Sequence, residues 1–212
     1  MSELTLFTDT FSISPYAMSV FVALEEKGVP YHLVKVGLHR SEHQAPTYRA
    51  RTGRVPSIAH GDFVLAESSA IAEYLEEVFP PPHYPRLFPA DLKERATARE
   101  IMAWIRSDFG PIREERATTS IFVQPAHTAL SEQAKAAQRR LVAGIAPLIH
   151  PERSTIFEHW CLADTDVALM LQRLNLNGDE LPRALRDFAE ANWKRPSVKK
   201  WLSHPRDDYT PY

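Results

Sequence analysis

Several things are scarce in this 212-residue chain, and each scarcity excludes something. There is one cysteine, Cys161, so an internal disulfide and a metal cage built from several cysteines are both ruled out. No Cys-x-x-Cys occurs, which excludes dithiol exchange of the thioredoxin kind. No apolar run approaches the roughly 18–20 residues that span a bilayer. Charge of one sign is not in excess either: 25 Lys and Arg stand against 27 Asp and Glu, a net of −2. No global field therefore points to nucleic acid or an acidic membrane surface as a partner. The opening Met1-Ser2-Glu3-Leu4 has neither the basic region nor the apolar core of a secretion signal, and a cytoplasmic location is expected. Internal repeats and low-complexity tracts are absent.

What is present is ordinary globular composition, 44% hydrophobic and 25% charged, enough for one large domain or two small ones. Leu4 to Thr8 and Tyr31 to Val36 are β-type runs. Between them Ala17, Val20, Phe21 and Leu24 recur at helical spacing, and Lys27-Gly28 supplies a stop. A connection containing a helix implies a parallel strand pair. Ser57 to His60 and Phe63 to Ala66 flank the tight turn Gly61-Asp62, and a helix carrying Ile71, Ala72, Leu75, Val78 and Phe79 follows. The order β-α-β then β-β-α matches a thioredoxin-like α/β domain, expected over residues 1–80.

Five prolines, at 80, 81, 82, 85 and 89, then interrupt the chain. Such a run propagates neither helix nor sheet and predicts a stiff connector over 81–90. Beyond it the strand signal vanishes. Apolar stripes at Ile101, Trp104 and Ile105, at Leu141, Ile145 and Leu148, at Val167, Met170, Leu171 and Leu174, and through Leu185 to Leu202 predict an all-helical domain over 91–212. Ser131 is placed to cap one of these helices.

The densest segment is Arg54 to Ile71. Val55-Pro56 stands where the chain turns into a strand; a residue before proline is held extended, which leaves its N–H and C=O free to pair with another peptide. Glu67-Ser68-Ser69 lies at the following strand-to-helix junction. There a carboxylate can bind an ammonium group, while the helix start offers free N–H groups to a carboxylate. Taken singly, each element also reads as plain structure: a loop proline, a helix cap. Together they would grip a free amino-acid end. A second helix start offers a hydroxyl: Ser14 precedes Pro15, a good first helical residue, and Ser12 and Tyr16 lie in the same loop.

This arrangement resembles the soluble glutathione S-transferase family, whose site uses a Val-Pro, usually cis, and a Glu-Ser pair in this order. Phe88-Pro89-Ala90-Asp91-Leu92-Lys93 resembles that family's entry into its helical domain, so the likeness covers nearly the whole chain. It is strongest to the bacterial YfcF-type members, through Ser14-Pro15-Tyr16, Ile112 to Arg116 and Trp160 to Asp166. The resemblance implies glutathione as co-substrate, no metal and a homodimer with the surface near Glu67-Ser68 facing its partner. It implies that Val55 pairs with the cysteinyl backbone of glutathione and that Glu67 and Ser68 hold the γ-glutamyl end. His43 and Arg54 match positions that can take the glycyl carboxylate. Ser14 resembles the catalytic serine of zeta-type and cysteine of omega-type members, with Ser12 as the other candidate for stabilising the thiolate. The resemblance also implies an acceptor site at the domain interface, to which Trp104, Arg106, Asp108, Phe109 and Arg113 could contribute. The expected activity is transfer of glutathione to electrophilic small molecules or reduction of organic hydroperoxides, in detoxification or oxidative stress. The alternative is a catalytically weak glutathione-binding carrier, or an adaptor, of the same fold. Cys161 replaces the family's capping hydroxyl ahead of Asp164 and is expected to be buried and structural.

Overall fold

In the computed structural model, which describes residues 3–206 and 209, the first β-type run forms β1 (Leu4–Asp9). It is followed by α1 (Pro15–Lys27), β2 (His32–Val36), β3 (Ser57–His60), β4 (Phe63–Ala66) and α2 (Ser68–Val78). The predicted elements appear within a residue or two of their expected ends. The polar stretch between β2 and β3 adds two short 3-10 turns, Leu38–Arg40 and Glu42–Gln44.

Strand order is β2-β1-β3-β4, with β1 and β2 parallel and the other pairs antiparallel. Leu6 and Ile58 on the sheet, Val20, Val22 and Leu24 on α1, and Ile71 and Leu75 on α2 are all fully buried. Burial of that apolar area drives the assembly. Register matters more for function: Asp9 stands opposite Val36, Phe7 opposite Ser57, and Ser57 opposite Ala66. The exits of β1, β2 and β4 and the entry to β3 therefore share one end of the sheet.

Lys27 is more than a helix stop. Its side chain is fully buried and donates to Glu76 Oε2 at 2.6 Å and to the Phe79 carbonyl at 2.8 Å. The same Glu76 oxygen accepts the Leu87 N–H at 2.9 Å. One buried ion pair thus ties the C-terminus of α1 to α2 and to the end of the proline run, and such a pair is costly to break by halves.

The chain divides into two units: one holds the chain up to Leu87 together with the segment from Lys200, and the other runs from Phe88 to Lys199. The segment from Lys200 packs with the sheet domain. The reason is Trp201, fully buried, with its ring 5.3 Å from Phe21 of α1 and Lys35 of β2 lying over its face.

The second unit is helical, built from α3 (Leu92–Ser107), α4 (Gly110–Glu115), α5 (Thr119–Phe122), α6 (Glu132–Ile145), α7 (Leu162–Asn175), α8 (Arg183–Trp193) and most of α9 (Pro196–Leu202). Asp91 caps α3 through the N–H groups of Lys93 and Glu94, and Ser131 caps α6 through Ala134 N–H at 3.2 Å. On α7, Val167, Ala168, Leu171 and Leu174 are fully buried, as its continuous apolar pattern predicts. Among the described residues no helix is long and apolar enough to cross a membrane.

Candidate functional site

The two helix starts at the shared end of the sheet are built differently. At α1, Ser14 is the N-cap: its Oγ accepts the Ala17 N–H at 3.2 Å, and its own N–H donates to Asp9 Oδ1 at 3.0 Å. Asp9 Oδ2 accepts the Ile13 N–H at 2.8 Å. Because Ser14 Oγ is the acceptor in its capping bond, its hydroxyl proton is left to donate elsewhere. Ser12 faces inward. It is fully buried, sits at φ 52°, and its hydroxyl accepts from Lys35. Tyr16, the second residue of α1, is exposed.

At α2 the capping position belongs to Glu67, at φ 70° and ψ 115°. A non-glycine residue there costs on the order of 1–3 kcal/mol and persists where the surroundings enforce it. Glu67 is exposed and its carboxylate makes no capping bond. The first helical bond runs from Ile71 N–H to the Glu67 carbonyl at 2.9 Å. The amides of Ser68, Ser69 and Ala70 are therefore left at the positive end of the helix. Ser68 is buried and Ser69 exposed.

Val55-Pro56 is cis and enters β3 beside these two helix starts. Neither the N–H nor the C=O of Val55 takes part in a hydrogen bond among the described residues. Tyr48 fixes the approach: its hydroxyl donates to the Arg54 carbonyl at 2.7 Å and lies 2.9 Å from Ser57 Oγ, while its ring meets Phe7 edge-on. Burial pushes its phenol pKa upward, so it stays a donor. Arg54 itself is exposed. His43, in the second 3-10 turn, has a buried Nδ1 without a partner. Gly53 turns at φ 59° just ahead of Arg54, where an added Cβ would lie 3.6 Å from the His43 carbonyl. The backbone at His43 therefore borders the segment leading to Val55.

Strands in a sheet lie about 4.8 Å apart, so the Ser14 loop, Val55 and Glu67 rise from three neighbouring strands spanning about 10 Å. That is close to the reach of three extended residues at about 3.3 Å each. Among the described residues the site has one anionic group and three unpaired amides at one edge, an unpaired peptide backbone in the middle and a hydroxyl at the other edge. Chemically it suits a short peptide with a free amino-acid terminus. Among the described residues no group of acidic, His and Cys side chains could hold a metal.

Two family models match the chain: the N-terminal domain of glutathione S-transferases over residues 10–83 and the C-terminal domain over residues 91–205. The chain belongs to the glutathione S-transferase family. A glutathione transferase homologue from Burkholderia, solved with bound glutathione, is 40% identical with a TM-score of 0.79, covering 95% of this chain and 97% of that one. Glutathione S-transferase 1 of Dianthus caryophyllus is 38% identical over 49% of this chain and 47% of its own length. The chain thus matches about half the length of that relative. A stringent starvation protein A homologue from Haemophilus influenzae is 29% identical over 92% of this chain and 88% of its own length.

In this transferase-family chain, Arg106, Asp108 and Arg113 each make bonds within the second unit. Arg106 pairs with Asp166 at 2.5 Å, Asp108 pairs with Arg140, and Arg113 donates to the carbonyls of Ile105 and Asp108. The Trp104 ring packs edge-on against Phe109, with centroids 4.8 Å apart. Arg116 is buried and forks onto Asp179 at 2.6 and 2.7 Å. Cys161 is buried at the N-cap of α7, and burial drives its thiol far above its ordinary range. The capping acceptor is Asp164, whose carboxylate takes the N–H groups of Cys161 and Ile156 at 2.7 Å each. Sequence reasoning missed Tyr48, Asp9 and Lys35 in the first unit. A buried acid five residues before a predicted cap is the one local signal that could have found Asp9.

Proposed function

We propose that the chain binds glutathione at the shared sheet end of the first unit, stabilises its thiolate through Ser14, and transfers it to electrophilic small molecules or uses it to reduce organic hydroperoxides. The observation that carries this reading is Glu67: an exposed carboxylate at positive φ beside a helix start it does not cap. A plain capping acid has no reason to occupy that backbone conformation. In this reading Glu67 takes the ammonium of the γ-glutamyl end, Ser68 and the free amides of α2 take its carboxylate, and Val55 pairs with the cysteinyl backbone. His43 and Arg54 take the glycyl carboxylate. The glutathione bound to the Burkholderia homologue supports the ligand.

A thiol of pKa about 8.5 is only about 3% ionised at pH 7. Lowering that pKa to about 6.5 needs about 2.7 kcal/mol of differential stabilisation. One hydrogen bond to a charged acceptor contributes about 1.5–3 kcal/mol and a helix N-terminus about 0.3–1 kcal/mol. Ser14 supplies both. The thiolate then attacks an electrophilic carbon, and the C–S bond forms as the leaving group departs with its electron pair. On a hydroperoxide it takes the outer oxygen as the O–O bond breaks and the alcohol leaves, and a second glutathione reduces the resulting sulfenic acid to disulfide and water. Ser14 keeps its proton throughout.

A homodimer in the cytoplasm, with no metal and no nucleic-acid or membrane partner, completes the proposal. A second reading, a glutathione-binding carrier or adaptor with little turnover, is favoured by the near full-length match to the Haemophilus protein, whose name is not that of a transferase. Titration calorimetry with glutathione tests the first reading. Saturable heat at micromolar to millimolar ligand is expected, and silence at millimolar ligand rejects it. Turnover across a panel of electrophiles and hydroperoxides then separates enzyme from carrier.

A further inference from the structure

The loop that carries Ser14 is held from beneath by residues far away in sequence. Asp9, fully buried at the end of β1, accepts the N–H groups of Ile13 and Ser14. Between these anchors Ser12 adopts a left-handed backbone at φ 52°, so its carbonyl is turned away from the usual helix-entry path. That carbonyl accepts two bonds from Arg206, from Nε at 3.3 Å and from Nη2 at 2.9 Å. The Ser12 hydroxyl accepts from Lys35.

Arg206 is fixed on its other side. Nη1 donates to the carbonyls of Leu202 at 2.9 Å and His204 at 2.7 Å, and Nη2 donates to Trp201 at 3.0 Å. Two of these are carbonyls of the last turn of α9, the negative end of that helix. One planar guanidinium thus joins a helix C-terminus to the backbone two residues before Ser14, a task for a fork that a single ammonium cannot perform.

The surroundings are consistent with a clamp. Lys35, from β2, Arg206 and His204 all feel the carboxylate of Asp9. Burial lowers the pKa of Lys35 and Arg206 while the Asp9 charge opposes the shift. Phe11, in the same loop, packs against Tyr209 with ring centroids 5.2 Å apart.

We propose that Arg206 is a positioning residue for the thiol-stabilising loop, acting through Ser14 by holding the Ser12 carbonyl. This rests on the glutathione reading of the site for its functional consequence, but not for its structural one.

The test combines two measurements on the full chain and its Arg206→Ala and Arg206→Lys variants. The first is amide hydrogen exchange without ligand. Both variants should speed exchange at Ile13 and Ser14 by at least about tenfold while Ala134, in α6, is unmoved. Unchanged exchange at Ile13 and Ser14 overturns the proposal whether or not the protein binds glutathione. Arg206→Lys keeps the charge and the aliphatic stem and so guards against simple unfolding; wild-type exchange in this variant would also overturn a role for the fork.

The second is an ultraviolet titration of bound glutathione thiolate at saturating ligand. Arg206→Ala should raise the ionisation midpoint by about one unit, about tenfold less thiolate below it, while affinity changes less than about threefold. In a Ser14→Ala background the same change should shift the midpoint by less than about twofold in thiolate fraction, because the residue acts through Ser14. An equal shift in both backgrounds contradicts the proposal. If wild-type protein binds no glutathione, the functional reading fails, and the exchange experiment still decides the positioning claim.

Discussion

The N-termini of α1 and α2 stand at the same end of one sheet, yet one is closed and the other open. Ser14 satisfies an amide of α1, and Asp9 ties down the two residues before it. Glu67 occupies the equivalent place at α2, but its carboxylate makes no capping bond and its backbone is held at φ 70°. A closed start gives a rigid hydroxyl at the positive end of a dipole, which is suited to acting on a ligand atom. An open start leaves amides and a carboxylate unspent, which is suited to holding a ligand's charged end. The same local chemistry thus yields an activating group at one edge and a binding group at the other.

The largest effect should come from breaking the link between these two helices. Lys27→Met leaves Glu76 buried without its cation, and loss of one partner of a buried pair costs about 3–5 kcal/mol. Chemical denaturation should show that loss; a change below about 1 kcal/mol would mean that the pair is not what holds α1 to α2. Next, Glu67→Ala removes a charged bond at the open end, worth about 1.5–3 kcal/mol, so glutathione affinity should fall about 10- to 100-fold. At the closed end Ser14→Ala removes a cap, with a stability cost of about 1 kcal/mol, and raises the pH midpoint of bound-thiol ionisation. An unchanged midpoint would remove Ser14 from the chemistry. Glu67→Gly should go the other way, relieving the positive φ and gaining about 0.5–1 kcal/mol of stability while binding is lost. A less stable Glu67→Gly would mean that the carboxylate was holding its helix after all.

A third helix start, at α7, sharpens the contrast through pH. Asp164 closes it from a buried position, and burial pushes its carboxyl up to about 6, against the pull of the two N–H groups it accepts. Its folded pKa lies above the unfolded value of about 4. The folded state therefore binds the proton more tightly, and this group's contribution to stability falls as pH rises from about 4 to about 6. Melting temperatures of wild type and Asp164→Asn across that range should diverge in this sense, with the variant lacking the slope.

Local features were legible in the sequence. Ser14 and Ser131 were identified as caps because capping depends on residues three apart, and the hairpin at Gly61-Asp62 because a two-residue turn declares itself. The pairing of Val55 with Glu67 rests on their spacing within one hairpin-helix unit and on the family resemblance. What escaped depends on distance along the chain. Lys35, Arg206 and Asp9 meet across nearly two hundred positions, and nothing near Arg206 in the sequence points to the Ser12 carbonyl it holds. In the sequence Lys27-Gly28 marks only a helix stop; the burial of Lys27 depends on Glu76 arriving from another helix. Arg106 and Asp166 likewise give no sign of each other until α3 and α7 pack. The positive φ of Glu67, which separates binding from capping, is a backbone property that no residue type announces.

The central claim is that the open start of α2 exists for a ligand and not for the fold. Titration calorimetry with glutathione on wild type and Glu67→Ala, run beside thermal melts of the same samples, tests it most directly. The expected result is saturable binding by wild type, at least about tenfold weaker binding by the variant, and melting temperatures within about 2–4 °C of each other. Equal affinity in the two proteins, or a collapse of the variant's melting temperature alongside its binding, would contradict it.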